Sequence, residues 1–288
     1  MQWFFLALTA ALSQAGNDAI SKRFFSDLTA YEMGLIRLLY ALPYLLAGLI
    51  FVPCPPLDKT FWLCIAFALP LELIAFLCHM RAIKVSPLSL TLPFLAFTPA
   101  FVILTGFFIL NETLNIHGIL GIILIVIGSY AMNLSAVRRQ WLSPVMAIFK
   151  EQGSWLMLLT ALIYSFTATI GKLAITHSSP QFFAVTYFLF FTILVISFYP
   201  VIPRAKPTNL FKKPLPCIAA GMMLAAMIFS HTYAISLIEA AYMLSVKRTS
   251  ILFGVFFGVL LFKEGKIRER LLGTSVMMCG VLIIGLFG

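Results

Sequence analysis

The chain has 288 residues, of which 61% are hydrophobic and 10% are charged, and its mean hydropathy is +1.02. A soluble domain is closer to half apolar and a quarter charged, so this composition excludes a soluble enzyme, a disordered regulator and a secreted disulfide scaffold. The net charge of +10 arises from cations in short gaps between apolar runs, which favours a lipid bilayer over nucleic acid as the partner. We therefore expect an all-α polytopic membrane protein.

Ten apolar segments of spanning length follow one another along the chain. A helix that crosses the hydrocarbon core needs roughly 20 mostly apolar residues. No Lys or Arg precedes the first segment, unlike the basic start of a signal peptide, so we expect a retained span. The longest polar stretch, 135–152, separates a first unit, 1–134, from a second, 153–288. The predicted spans are 2–21, 31–52, 61–83, 86–110, 115–134, 153–176, 180–203, 214–237, 239–262 and 267–287.

The first segment carries four polar side chains. Gln14, Asp18 and Ser21 fall on one helical stripe, and Asn17 lies beside it. A membrane helix does not present such a set to lipid, so we expect these groups to face protein or water. Two interpretations stay open for Asn17 and Asp18, namely substrate binding in an internal cavity and hydrogen bonding between helices.

The second, third and fourth segments add charges and prolines. Arg37 either reaches toward the interface or pairs with an acid. Glu72 stands halfway along the third segment, and His79 lies on the same face seven residues later. An ionisable group near the bilayer centre marks a pathway by default, so these two form a candidate proton-coupling site. Alternatively, the Glu72 carboxylate binds an ammonium group of the substrate, or it pairs with a structural cation. Pro93 and Pro99 predict a kink or a flexing point in the fourth segment.

The second unit contributes the remaining candidates. Tyr164 lies in the polar sixth segment, and His231 in the eighth is either a cavity residue or a packing residue. Lys247 and Ser250 share one stripe of the ninth segment, with Arg248 next to them. In an unbroken helix Arg248 points about 100° away, so the two cations share a small site only if the helix bends. They either bind an anionic substrate or pair internally.

Motifs for enzyme or cofactor chemistry are absent from the sequence. There is no P-loop, dinucleotide-binding turn, nucleophile elbow or zinc spacing, so we expect no enzyme, no cofactor and no metal. An intramembrane enzyme would need a reactive pair on facing helices, whereas Glu72 and His79 share one helix. The five cysteines lie in or beside apolar segments and are expected to be free thiols. If the protein is a transporter, the energy for transport must then come from a gradient or from an associated chain.

The chain repeats itself at an offset of 152 residues. Phe101 falls on Phe253 and Glu112 on Glu264, and Gly106, Gly121 and Gly128 fall on Gly258, Gly273 and Gly280. The first segments of the two units correspond at an offset of 150, which places Lys22 on Lys172. Because each unit has an odd number of spans, the second enters the membrane from the opposite side. Inverted repeats of this kind are typical of secondary transporters, whose substrate site lies between them.

The repeat also resembles a known family. In the first unit the residues that carry the resemblance are 82–86 (AIKVS), 97–101 (FTPAF), 111–114 (NETL) and 118–128. In the second they are 234–235 (AI), 246–250 (VKRTS), 262–264 (FKE) and 273–280. This pattern resembles the EamA-like branch of the drug/metabolite transporter superfamily, and Arg37 matches an arginine that this family often has there.

The resemblance implies ten transmembrane helices in two inverted five-helix repeats. It also implies transport of small metabolites, commonly proton-linked export. Two departures separate this chain from the family pattern. Ile251 stands where the second repeat is expected to have a proline, and Lys247 and Arg248 place two adjacent cations in the same helix. The resemblance therefore does not name the substrate.

Cations in the loops orient the chain. Of the loop and helix-end cations, only Lys59 and Lys172 fall on one side. The positive-inside rule therefore predicts that the cation-rich side is cytoplasmic and that both termini are extracytoplasmic. The family more often has cytoplasmic termini. The cations on the other side are Lys22, Arg23, Arg81, Lys84, Arg138, Arg139, Lys150, Arg204, Lys206, Lys212, Lys213, Lys263, Lys266, Arg268 and Arg270.

The sequence predicts a proton-linked secondary transporter for a small polar metabolite, such as an amino-acid-like zwitterion, in a bacterial inner membrane. It would act as a monomer or homodimer. The alternatives are a carrier of an organic anion, sugar-phosphate or lipid-linked headgroup, and a non-transporting membrane subunit. The predicted substrate-binding residues are Asn17, Asp18, Tyr164, His231, Lys247, Arg248 and Ser250, and the predicted proton-coupling residues are Glu72 and His79.

Overall fold

The computed structural model describes residues 1–131, 151–202, 205–262 and 267–287, which form helices joined by short turns and contain no strand. The helices of the first half are α1 (Gln2–Phe25), α2 (Ala30–Phe51), α3 (Lys59–Val85), α4 (Leu88–Thr91), α5 (Phe97–Leu110) and α6 (Ile116–Ala131). Those of the second half are α7 (Gln152–Thr176), α8 (Pro180–Ser197), α9 (Pro214–Leu237), α10 (Ala240–Lys247), α11 (Ser250–Phe262) and α12 (Ile267–Phe287). The all-α prediction is confirmed.

The fourth span of each half is broken. In the first half a 3-10 segment, Leu92–Ala96, joins α4 to α5, and the kink predicted from the prolines is present. In the second half the backbone N–H of Ile251 donates to the carbonyl of Arg248 at 3.0 Å, so a three-residue hydrogen bond replaces the α-helical one. The predicted span 239–262 is thus interrupted at Arg248 and Thr249, which is the bend that the two cations need to share a site, and Ser250 does not continue the helical stripe of Lys247.

The two halves match element by element. The first residues of α1 and α7 differ by 150, as do those of α2 and α8. The last residues of α3 and α9 differ by 152, as do those of α5 and α11. These are the two offsets at which the sequence repeats, so the sequence repeat corresponds to a structural repeat.

Close glycine contacts between α6 and α12 show how the halves are related. A Cβ on Gly121 would lie 2.8 Å from the carbonyl oxygen of Gly280, and one on Gly128 would lie 2.6 Å from that of Gly273. Because Gly121 corresponds to Gly273 and Gly128 to Gly280, each contact is the image of the other. The helices run antiparallel, as inverted repeats require.

Gly128→Ala is expected to destabilise the protein by about 1–3 kcal/mol, because its Cβ would meet backbone atoms of α12 that cannot move independently. Gly16→Ala is the matched control. Its Cβ would lie 3.5 Å from the Met223 sulfur, an ordinary contact with a flexible side chain. Thermal unfolding in detergent should show a lower Tm than that of the wild type for the Gly128 variant only. Equal Tm values for both variants would contradict the tight contact between α6 and α12.

The described residues contain six stretches long and apolar enough to cross a membrane. The segments in the remaining predicted spans either carry polar groups, as in α1, or have shorter apolar cores, as in α6 and α12. The fold is that of a two-repeat membrane protein, while the count of ten spans stays a prediction. The six stretches are Ala30–Phe51, Lys59–Val85, Gln152–Thr176, Pro180–Ser197, Pro214–Leu237 and Ala240–Gly258.

The two ends of the bundle differ in charge. One end, called the cation-rich end, holds Lys22, Lys84, Lys206 and Lys213, and there Lys213 pairs with Asp27 at 3.2 Å. The other, called the opposite end, joins the start of α3 to the end of α7 through a 2.7 Å contact between Asp58 and His177. Asp58 also caps α3, and the backbone N–H of Phe61 helps to hold the pKa of its carboxyl below the usual range.

Candidate functional site

A cavity of about 120 Å³ lies between the two halves and has room for a small molecule. Helices α1, α2 and α3 and the 3-10 segment line it from one side, and α7, α8, α9 and α10 from the other. The apolar part of the wall includes the aromatic residues Phe76, Phe183, Phe188 and Phe191. The polar part consists of Gln14, Arg37, Glu72, His79, Tyr164, Thr167, Lys172, Tyr187, His231, Thr232, Lys247 and Arg248.

A buried ionic cluster forms the wall contributed by the first half. Asp18 is 1% exposed and sits behind Arg37, whose guanidinium Nη1 donates to Asp18 Oδ1 at 3.0 Å. Gln14 donates to the other carboxylate oxygen at 2.9 Å, and His79 Nε2 lies 3.4 Å from Oδ1. The carboxylate thereby fixes three side chains that line the cavity. This arrangement resolves the alternatives left open for Arg37, which pairs with an acid.

The second half contributes two cations that are adjacent in the sequence, Lys247 and Arg248. Lys247 ends α10 and Arg248 follows it at the break, so both side chains reach the same cavity. The nearest polar atoms to Lys247 Nζ are His231 Nδ1 at 3.3 Å and the Met227 sulfur at 3.4 Å. Within the described ranges neither cation has a carboxylate at ion-pair distance. The break in the helix is what allows the two neighbours to share one site.

Glu72 supplies the carboxylate that faces these cations across the cavity. It lies beside the Thr167 hydroxyl and within electrostatic range of Lys247. Tyr164 packs against His79 with ring centroids 6.1 Å apart. Its hydroxyl lies within electrostatic range of Glu72, Arg37 and Arg248. The charged groups of both halves therefore act on one small volume.

Several buried polar atoms of the wall have no hydrogen-bond partner within the described residues. They include Arg37 Nε, Arg248 Nε, the Tyr187 hydroxyl oxygen and His79 Nδ1. Buried polar groups are rarely left unpaired in folded proteins, and where they are, water or a ligand commonly completes them. The orphaned atoms belong to residues that line the cavity, which suits a polar occupant.

The cavity reaches further toward the opposite end than toward the cation-rich end. Ile175, Phe183 and Ile235 line it near the opposite end. Their repeat counterparts at the cation-rich end, Phe25, Met33 and Ile83, are fully buried and are not part of the wall. Equivalent positions of the two repeats therefore differ in whether they line the cavity, and those at the cation-rich end pack in the protein interior instead.

Lysines at the ends of α1 and α7 make equivalent contacts. Lys22 donates to the carbonyl of Ser86, and Lys172 donates to the carbonyl of Ile238 at 2.6 Å. Ser86 and Ile238 are 152 residues apart, so the repeat preserves this contact. Lys172 also pairs with Glu112, whose second oxygen accepts from the backbone N–H of Ala240 at 3.0 Å. The start of α10 is thereby fixed to the end of α5 and to α7.

Six of the nine predicted site residues line the cavity, namely Glu72, His79, Tyr164, His231, Lys247 and Arg248. Asp18 lies behind the wall and acts through Arg37. Asn17 is not on the wall, because its amide donates to the Ala220 carbonyl at 2.6 Å and joins α1 to α9. Ser250 is also absent from the wall, since the break at Arg248 places it at the start of α11, where it is 4% exposed.

Six polar residues of the wall are not among the predicted site residues: Gln14, Arg37, Thr167, Lys172, Tyr187 and Thr232. The repeat offsets relate two of them to other residues of the wall. Tyr187 stands 150 residues after Arg37, and Thr232 stands 152 after Met80, which also lines the cavity. His79 and His231 are a third such pair. The repeat counterpart of a wall residue is therefore itself a candidate for the wall.

Two inverted repeats around a charged internal cavity define a membrane transporter of the two-repeat class. The profile of the EamA-like transporter family matches residues 1–134 and 152–286, so the chain belongs to this family. A solved crystal structure of a protein is 12% identical, with a TM-score of 0.73 and coverage of 99% of this chain and 96% of its own. At that identity the likeness shows the fold alone. A search among curated proteins finds no match.

Proposed function

We propose that this chain is a secondary transporter for small metabolites that carry a carboxylate or phosphate group. The observation that supports this most strongly is the pair of buried cations, Lys247 and Arg248, that face the cavity without a carboxylate partner within the described ranges. Holding such charges in a low-dielectric site costs several kcal/mol per ion. An anionic group that accepts hydrogen bonds from both offsets this cost and binds strongly.

The charge balance of the site supports the same substrate class. The cations of the wall are Arg37, Lys172, Lys247 and Arg248, and the carboxylates on or behind it are Asp18, Glu72 and Glu112. With neutral histidines this leaves one net positive charge. Arg37 and Lys172 are already paired with Asp18 and Glu112, so the excess lies on Lys247 and Arg248, at the break between α10 and α11.

Glu72 favours a second candidate, an amino-acid-like zwitterion. Its carboxylate faces the cavity opposite the cations and could accept hydrogen bonds from a substrate ammonium group. The carboxylate of the same molecule would then bind Lys247 or Arg248. The two candidates share the anion site and differ only in whether Glu72 contacts the substrate.

Flux measurements in proteoliposomes test the proposal. The probes are succinate, glycerol 3-phosphate, alanine and glycerol, each in labelled form. We expect saturable flux for one or more of the charged probes and none for glycerol. Flux of alanine that Glu72→Gln abolishes, with flux of succinate retained, would select the zwitterion. Saturable flux of glycerol alone would contradict an anion site.

We also propose that the cation-rich end faces the cytoplasm of a bacterial cell and that both termini are extracytoplasmic. Lys22, Lys84, Lys206 and Lys213 come together at that end, as the positive-inside rule requires of one membrane side. A reporter that is active only in the cytoplasm should be inactive when fused after Gly288. If that fusion is active and a fusion in the loop after α1 is inactive, the proposed orientation is contradicted and the opposite one holds.

A further inference from the structure

We propose that Glu72 and the substrate anion compete for Lys247, so that a proton on Glu72 and the anion bind together and cross the membrane in the same direction. This inference rests on the proposed function, because it takes the anion site at Lys247 and Arg248 as given. It specifies the sense of coupling, which neither the family nor the cavity alone supplies. The movement is symport, in contrast to exchange of a proton for the substrate.

The geometry places the competing groups in one small volume. Glu72 and Lys247 both line the cavity and are within electrostatic range of each other, yet they are not at ion-pair distance. The Thr167 hydroxyl lies beside the Glu72 carboxyl, and Tyr164 and Tyr187 are within electrostatic range of it. An ionised Glu72 lowers the positive potential that an anion meets at Lys247. A protonated Glu72 leaves that potential intact.

Each helix that lines the cavity contributes a titratable or charged group to its wall or directly behind the wall. His79 lies further along α3, Tyr164 comes from α7 and Tyr187 from α8. Two more, Asp18 from α1 and Arg37 from α2, neutralise each other as an ion pair. On the other wall are His231 from α9 and the cations of the break between α10 and α11. Because these groups share the cavity with Glu72, the experiment must separate their effects from that of Glu72.

Linkage fixes the sense of coupling. If protonation of Glu72 raises the affinity for the anion by some factor, anion binding raises the affinity of Glu72 for a proton by the same factor. The proton enters from water on the side to which the cavity is open and is released on the other side after the halves rearrange. For a dianion, a cavity that holds both the proton and the anion is neutral, whereas one that holds either alone carries a net charge.

Sulfate is the probe for this competition, because it remains a dianion throughout the range used. Binding to the purified full-length protein in detergent is measured by titration calorimetry at pH 5.5 and pH 8.5. For the wild type we expect affinity about tenfold weaker at the higher pH. For Glu72→Gln we expect less than about a twofold change, with the low-pH affinity retained at both values. In weakly buffered solution near neutrality, sulfate should cause the wild type, and not this variant, to take up protons.

The controls are His79→Gln and His231→Gln, each of which should keep the pH dependence of the wild type. Three results would overturn the inference: affinity of the wild type that does not depend on pH, an unchanged pH dependence in Glu72→Gln, or release of protons on binding. Absence of sulfate binding at both pH values would overturn the proposed function itself, and the symport with it.

Discussion

Replacing Lys247 by methionine should reduce flux of the anionic substrate by about a hundredfold or more while leaving the empty protein as stable as the wild type. The ammonium group binds no carboxylate in the described ranges and lies next to a second buried cation. Removing it relieves repulsion and desolvation in the empty site. Flux in proteoliposomes and thermal unfolding of the same preparation measure the two effects.

Lys212→Met is the matched control for this substitution. It removes the same charge from an exposed side chain whose one hydrogen bond, at 2.7 Å, is to Asn209 on the surface. Its flux and its Tm should both remain close to those of the wild type. If Lys247→Met lowers the Tm by several degrees along with the flux, Lys247 stabilises the fold through an internal pair, and the anion site must lie elsewhere.

Asp18→Asn should be among the most destabilising single substitutions at the cavity, by about 3–5 kcal/mol. The substitution keeps the shape of the side chain but removes the charge that balances Arg37, which is 4% exposed. It also removes the carboxylate that orients His79 and Gln14. Chemical or thermal unfolding in detergent gives the change in free energy directly.

A double-mutant cycle identifies the cause of that loss. Arg37→Met in the Asp18→Asn background should recover part of the stability, because the unpaired guanidinium is gone. The exposed pair of Asp27 and Lys213, whose side chains are 61% and 41% exposed, is the control, and Asp27→Asn should cost less than about 1 kcal/mol. Strict additivity of the Asp18 and Arg37 substitutions would contradict a direct ion pair.

The helices of this protein and their internal repeat can be predicted from the sequence because the bilayer imposes simple rules. Apolar segments of spanning length must be helices, and the offsets of 150 and 152 residues reappear in the helix boundaries. Glu72, Lys247 and Arg248 are found from sequence because a charge within an apolar segment is conspicuous. Each of them lies on the cavity wall.

Residues whose environment depends on distant parts of the chain are harder to predict. The amide of Asn17 bonds to a carbonyl 203 residues away, and Arg37 finds its acid on the preceding helix. The break after Lys247 has no proline signal, since Ile251 occupies the position that Pro99 holds in the first half. A polar side chain in a membrane helix indicates that it avoids lipid, but only packing decides whether it meets the cavity or another helix.

The central claim is that Lys247 and Arg248 form an anion site inside the cavity. Crystals of the protein soaked in selenate test it directly, because selenium scatters anomalously and selenate has the charge and shape of sulfate. We expect an anomalous peak within about 4 Å of both the Lys247 ammonium and the Arg248 guanidinium, and we expect that peak to be missing in Lys247→Met. Peaks confined to exposed lysines such as Lys212, or a cavity peak that persists in the variant, would contradict the claim.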